Sequence, residues 1–146
     1  MSDIRLEPVP GSDPELKLAL SASGLPTEDL EDAGRSFFRA VSSNGGTVGY
    51  AGIEACGDDV LLRSIVILPE HRGKALGKSL TRETLKAVNE GSAVFLATTS
   101  ATTFFESLGF TVIERPDVPP AVLATRQLSS ICPASATIMQ FNRAPT

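Results

Sequence analysis

The sequence predicts an α/β or α+β fold built on a sheet of six or seven strands with helices between them. Three observations carry this expectation. Runs of β-branched and aromatic residues alternate with segments of helical period, glycine-, asparagine- and aspartate-rich turns separate them, and no repeat, low-complexity tract or long linker breaks the order. At 146 residues the chain fits one domain, 1–146. A chain of that length buries roughly two thirds of the surface that its unfolded form exposes.

Ile4 to Val9 reads as a first strand. GSDPELKLALSASGLP reads as a helix, with Ser12 or Asp13 capping it, Pro14 in its first turn and Gly24-Leu25-Pro26 ending it. A short acidic helix is expected from Thr27 to Asp32. RSFFRAV and TVGYAGIEAC are joined through Asn44-Gly45-Gly46, which supplies the positive φ angles of a tight hairpin, so they should pair antiparallel. Gly57-Asp58-Asp59 turns the chain into VLLRSIVIL, a nearly continuous apolar run stopped by Pro69, as expected of a central strand buried on both faces. From Gly73 to about Asn89 the period is helical, with Leu76, Leu80, Thr84 and Val88 on one face and Gly91 as terminator. AVFLAT is a further buried strand, SATTFFESLGF a short helix closed by Gly109, and TVIE a strand. PPAVLATRQLSS is a helix with proline at its start, and SATIMQF a last strand.

Composition narrows the function classes. No apolar run approaches the roughly 18 residues that span a bilayer, so no membrane association is expected. The start MSDIRLEPVP has acidic residues and no apolar signal region, which makes a cytoplasmic location the expectation. Cys56 and Cys132 make no zinc spacing with His71, the only histidine, so neither a metal nor a disulfide framework is expected. A formal charge of -4 argues against nucleic acid as partner. The distribution says more than the sum. Five of the 13 basic residues, Arg72, Lys74, Lys78, Arg82 and Lys86, fall in one short segment, while PTEDLEDAG concentrates negative charge far away in sequence. A compact anion suits the basic segment.

That segment contains HRGKALGKSL, which looks like a nucleotide P-loop. The P-loop needs four residues between its first glycine and Gly-Lys-Ser so that the backbone can wrap a β-phosphate. Here Gly73 and Gly77 enclose only three, and AVFLATTS ends in hydroxyls where an aspartate would hold magnesium. What survives is a phosphate cradle: a strand ends at Pro69, the chain turns, and a helix starts with free backbone N–H groups and a positive dipole end. The side chains of Arg72, Lys74 and Lys78 add charge. Taken alone, RGKALG also fits a loop opening a charged surface helix, with Lys74, Lys78, Arg82 and Lys86 as a solvated stripe.

With its flanks, LLRSIVILPEHRGKALGKSL resembles the acyl-CoA signature of the GNAT superfamily of N-acetyltransferases. The pattern [Q/R]-x-x-G-x-[G/A] after a central strand is filled by Arg72, Gly73, Lys74, Ala75, Leu76 and Gly77. AVFLATTSATTFFESLGF resembles the second half of the same family, and the resemblance around these two stretches covers residues 47 to 113. The resemblance implies a GNAT fold, a mixed and mostly antiparallel sheet flanked by helices. Its parallel central strands, one ending at Leu68 and the other running from Ala93 to Thr98, splay into a wedge where thioester meets amine. It implies acetyl-CoA as co-substrate, with the amides from Arg72 to Ser79, Lys78 included, on the CoA pyrophosphate and the strand around Ile65 and Ile67 pairing its backbone with pantetheine. A homodimer is compatible with it. The tail VPPAVLATRQLSSICPASATIM resembles a narrower group, the N-acetyltransferases encoded in arsenic-resistance operons, themselves similar to small amino-acid acetyltransferases of the N-acetylglutamate synthase type. Two residues depart from the family pattern. Ala75 replaces a usual glycine, keeping the amide and adding a methyl. Phe105 stands where many relatives have a tyrosine that protonates the leaving thiolate.

Amide formation from a thioester needs a neutral amine, a route for its proton and a polarised carbonyl. Glu54, on the strand before the wedge, is the leading base, with a solvated strand-edge carboxylate as the alternative. Glu70 and His71, beside the loop, suit solvent better than catalysis. Arg63 interrupts the most apolar strand, where a guanidinium needs a partner. It is either a fork for a substrate carboxylate or half of a salt bridge to Asp58, Asp59 or Glu54. Arg126 is a second candidate for substrate anchoring, against a plain surface arginine. Ser130 and Cys132 are the polar candidates for the thiolate's proton, Cys132 being equally a small buried hydrophobe. The expected function is transfer of acetyl from acetyl-CoA to a small-molecule amine or amino acid, with a link to arsenic resistance. The rival is an acyl-CoA-binding sensor without catalysis, motivated by Phe105.

Overall fold

A computed structural model of the chain describes residues 4–25, 27–72, 76–88, 91–125 and 136–141. Its elements follow the order β1 (Ile4–Val9), α1 (Pro14–Ala22), β2 (Arg35–Ser42), β3 (Thr47–Cys56), β4 (Asp59–Ile67), α2 (Leu76–Lys86), β5 (Val94–Thr98), α3 (Thr102–Glu106), β6 (Phe110–Val112), α4 (Pro120–Leu123) and β7 (Thr137–Phe141). Short 3-10 turns occupy Pro69–His71 and Arg115–Asp117.

The strands form one mixed seven-stranded sheet in the order β1-β2-β3-β4-β5-β7-β6. β1 and β2 pair antiparallel, as do β2 and β3, β5 and β7, and β6 and β7. A two-residue turn at Gly57 and Asp58 joins β3 to its neighbour β4, which only antiparallel strands allow, and Gly57 supplies its φ of 66°. β4 and β5 run parallel, with α2 as the crossover; the ladder consists of Val60↔Val94 and Leu61↔Phe95.

The chain divides into two compact units, Met1–Glu54 with Leu62–Asn89, and Ala55–Leu61 with Glu90–Thr146. In the first, one cluster holds Leu16 and Leu20 of α1 with Phe37, Tyr50 and Val66, and a second holds Leu80 of α2 with Ile4, Ala40, Val48 and Ala51. α1 and α2 therefore cover opposite faces of β1 to β4. Leu16 and Leu20 are fully buried, each contributing roughly 1.5–3 kcal/mol. Asp13 caps α1 by accepting a hydrogen bond from the Leu16 N–H at 3.2 Å. In the second unit, Phe95 and Ile138 pack with Cys56, Leu61, Val118 and Val122. An aromatic series runs beside them: Phe104 to Phe105 at 5.1 Å, Phe105 to Phe110 at 5.6 Å and Phe110 to Phe141 at 5.1 Å between ring centroids.

Four expectations change. Thr27 to Asp32 is a series of turns rather than an acidic helix, because Asp29 is drawn inward by guanidinium groups. The late strand is Phe110–Val112, entered through Gly109 at φ 102°, rather than TVIE. The helix from Pro120 reaches Leu123, and the rest of its expected span lies outside the described residues beyond Thr125. β4 is not regular, since Ser64 has φ 59°, a left-handed value that a serine adopts rarely. Arg63 and Val66, three apart, both face the α1 side, while Ile65 and Ile67 pack on the α2 side. Ser64 thus behaves as a one-residue bulge.

Candidate functional site

The first unit contains a buried lattice of charge. On neighbouring positions of β2 and β3, Arg35 and Glu54 are direct partners, and Arg63 on β4 completes the row. The Arg63 side chain is 1% exposed and that of Asp29 is not exposed at all. Arg63 Nη1 and Nη2 donate to Asp29 Oδ2 and Oδ1, each at 2.6 Å, a two-pronged pair that pins the turn after α1 onto the sheet. Nη1 also donates to Glu54 Oε1 at 3.0 Å, and Arg35 Nη2 lies 3.0 Å from Asp29 Oδ2 and 3.3 Å from Glu54 Oε2. The Arg63 guanidinium carbon stands 5.8 Å from the centroid of the Phe37 ring. Gly52 makes room for this: a Cβ there would lie 2.7 Å from the Phe37 ring and 3.4 Å from Arg63 Cγ. Burial raises the Asp29 pKa, but the hydrogen bonds and charge of Arg63, and then those of Arg35, outweigh it and bring the group down to about 2. For Arg63, burial lowers the pKa, and Asp29 followed by Glu54 reverses that into a rise.

The proposed fork and the proposed base are therefore bound to each other. Arg63 takes the salt bridge to Glu54, one of the partners its position called for, but its main partner is Asp29 rather than Asp58 or Asp59. Glu54 is 4% exposed, so it is not a solvated edge carboxylate, and both of its oxygens face guanidinium groups. Asp29 and Arg35 went unseen in the sequence. The signal was there: a buried arginine demands carboxylates, and PTEDLEDAG supplied the largest store of them.

Further along β4, Ile65 and Ile67 are half-buried against the α2-side core. Arg72 is exposed, yet its side chain turns back: Nε donates to the Ile67 carbonyl at 2.9 Å and Nη2 to Ser23 Oγ at 3.2 Å. Leu76, Gly77 and Ser79 are half-buried on the first described turns of α2, and Lys78 is exposed. Thr81 Oγ1 donates to the Gly77 carbonyl at 2.8 Å. Glu70 is exposed and His71 half-buried. Gly73, Lys74 and Ala75, and likewise Arg126, Ser130 and Cys132, lie outside the described residues. Phe105 is buried with its ring edge-on to Phe104 and Phe110, which is the setting of a core residue.

The sequence RGKALG lies between β4 and α2, on a mixed sheet with helices on its faces. The Acetyltransferase (GNAT) domain family matches residues 33–112, more than half of the chain, and the chain belongs to that family. It is an acyl-CoA N-acyltransferase. A search of curated proteins finds no match. Among solved structures, a GNAT-family acetyltransferase of Staphylococcus aureus is 19% identical with a TM-score of 0.67, covering 95% of this chain and 98% of the other. A Mycobacterium tuberculosis protein in complex with CoA is 18% identical with a TM-score of 0.71, covering 96% and 99%. N-acetylglutamate synthase of Neisseria gonorrhoeae, in complex with coenzyme A and N-acetyl-glutamate, is 16% identical with a TM-score of 0.75, covering 98% of this chain and 36% of that longer one. No helix among the described residues is long and apolar enough to cross a membrane.

Proposed function

We propose that the chain transfers the acetyl group of acetyl-CoA to the amine of a small molecule or amino acid. The observation that carries this reading is the family match over 33–112, a span that includes the sequence RGKALG between β4 and α2. The neighbours point to the acceptor class: one is named as an N-acetylglutamate synthase and another as a spermidine N-acetyltransferase. The resemblance of the tail to acetyltransferases of arsenic-resistance operons adds an arsenical amine to the acceptors worth testing.

Acetyl-CoA supplies an activated thioester and an anionic pyrophosphate handle. Half-buried Gly77 and Ser79 and exposed Lys78 fit an anion at the start of α2, and the Ile65 to Ile67 backbone is assigned to the pantetheine arm. The amine nitrogen attacks the thioester carbonyl, the carbon–sulfur bond breaks, one N–H proton leaves, and the departing thiolate takes a proton. Direct attack needs no enzyme nucleophile. Engaged by Arg63 and Arg35, Glu54 serves in this reading to hold the charge lattice rather than to accept the amine proton. Glu54→Gln is expected to lower stability while leaving the shape of the rate-against-pH curve unchanged; loss of the limb on the acid side would return Glu54 to the role of base. Ser130 and Cys132 remain the candidates for the thiolate's proton and Arg126 for the acceptor.

Phe105 motivates a second reading, an acyl-CoA sensor, since its buried ring carries no hydroxyl. Steady-state thiol release from acetyl-CoA, run with a panel of amino acids, polyamines and arsenical amines, separates the two. Acceptor-dependent turnover is expected; tight CoA binding with no acceptor-dependent turnover would leave only the sensor.

A further inference from the structure

Resting on the acyl-CoA reading, we propose that Arg72 is a positioning residue rather than a phosphate ligand. Its guanidinium braces the end of β4 against the C-terminal cap of α1, and so sets the strand backbone assigned to pantetheine and the entry to the phosphate turn.

The peptide between Ile67 and Leu68 is gripped at both of its polar groups. Its carbonyl oxygen, that of Ile67, accepts from Arg72 Nε at 2.9 Å. Its N–H, that of Leu68, donates to the Val48 carbonyl at 2.8 Å on β3. A peptide unit is planar, so fixing both groups fixes the plane. The direction in which β4 releases the chain is thereby set. From Leu68 the chain folds into a tight turn, with the His71 N–H on the Leu68 carbonyl at 2.9 Å and the Arg72 N–H on the Pro69 carbonyl at 3.3 Å, which returns the Arg72 side chain to Ile67.

The second donor reaches a different element. Arg72 Nη2 donates to Ser23 Oγ at 3.2 Å, and Ser23 is the residue that closes α1, its own N–H donating to Leu20 O at 3.1 Å. Two N–H groups on one planar guanidinium meet two acceptors 44 positions apart in sequence, Ser23 and Ile67 (67 minus 23). A lysine ammonium offers a point charge without that fork. These donors act inside the protein, and charge attraction to a phosphate is not what they express.

The test uses the full chain, CoA as the probe in calorimetric titration, and steady-state kinetics with acetyl-CoA. Arg72→Ala and Arg72→Lys are both expected to weaken CoA binding roughly tenfold, the scale of losing hydrogen bonds to a charged group. The loss should fall on KM for acetyl-CoA and leave kcat close to wild type. It should also be the same factor at low and high salt, because salt screens charge–charge attraction and the acceptors of these bonds, a carbonyl and a hydroxyl, carry no net charge. Ser23→Ala should weaken binding in the same direction, and combined with Arg72→Ala should add nothing further. Rescue by Arg72→Lys, a loss that shrinks as salt rises, and a silent Ser23→Ala would together make Arg72 a direct phosphate ligand and overturn the inference alone. A wild-type chain that binds no CoA would overturn the acyl-CoA reading and this inference with it.

Discussion

Asp29→Ala should be a costly change in the first unit. It removes both carboxylate oxygens from Arg63, whose guanidinium stays buried with Glu54 at 3.0 Å as its remaining carboxylate. Breaking a buried pair from one side costs about 3–5 kcal/mol, because an uncompensated charge is left in a low-dielectric site. Glu54 places the expected loss at the lower end, about 3 kcal/mol. For a chain of this size, about 3 °C of midpoint per kcal/mol turns that into a fall of about 10 °C. Acid unfolding gives an independent handle. Asp29 titrates at about 2 in the folded chain against an ordinary 3.8, so its folded pKa is depressed. Its contribution is complete above the unfolded value and is lost as pH falls from about 4 toward 2, by about 2 kcal/mol. Urea unfolding at pH 7 and at intervals down to pH 2, for wild type and variant, measures both effects. The variant should start lower and lose less between pH 4 and 2. Replacing both partners, with Asp29→Leu and Arg63→Met, should recover much of the loss, since an apolar pair of similar volume avoids the buried charge. A loss below about 1 kcal/mol for Asp29→Ala, the range of an exposed ion pair, or an unchanged acid profile, would refute the pinned-turn reasoning.

Two further substitutions probe the backbone beside this lattice. Ser64→Val brings a residue that suits strands into a left-handed φ and should destabilise by about 1–2 kcal/mol, whereas Ser64→Gly should be neutral or slightly stabilising; the reverse order in urea midpoints would mean that β4 is regular there. Gly52→Ala drives a methyl to 2.7 Å from the Phe37 ring and should cost about 1–3 kcal/mol at unchanged urea m-value, a result that a loss within about 0.5 kcal/mol would contradict.

What could be read from the sequence was local. Turn glycines announce their places because their φ angles exclude most other residues: in the hairpins Gly45 sits at 89° and Gly57 at 66°, and Gly109, between α3 and β6, at 102°. The strands between these turns, the capped helix from Pro14 and the amphipathic α2 follow from period and capping in the same way. The family signature RGKALG was legible because its glycine spacing is short-range. Long-range partnership was not. Arg63 announces that it needs a carboxylate, but nothing in its neighbourhood names Asp29, 34 residues earlier, over the nearer Asp58 and Asp59. For the same reason the acidic stretch reads as a helix, although pairing with Arg63 and Arg35 holds it in turns. Arg72 reads as one more positive charge on the loop, since the bend that returns its side chain to Ile67 is made only when the strand end is folded.

Ser64 also governs how the chain can be compared with its kin. Were it deleted, Arg63 and Val66 would stand two apart and still project the same way, and Ile65 and Ile67 would still project the other. A chain one residue shorter at that point therefore keeps the in-and-out code of the strand intact, while a gap placed one element later inverts it. For relatives under a fifth identical, whose alignment rests on such codes, position 64 is where an indel can hide without leaving a trace in the hydrophobic pattern.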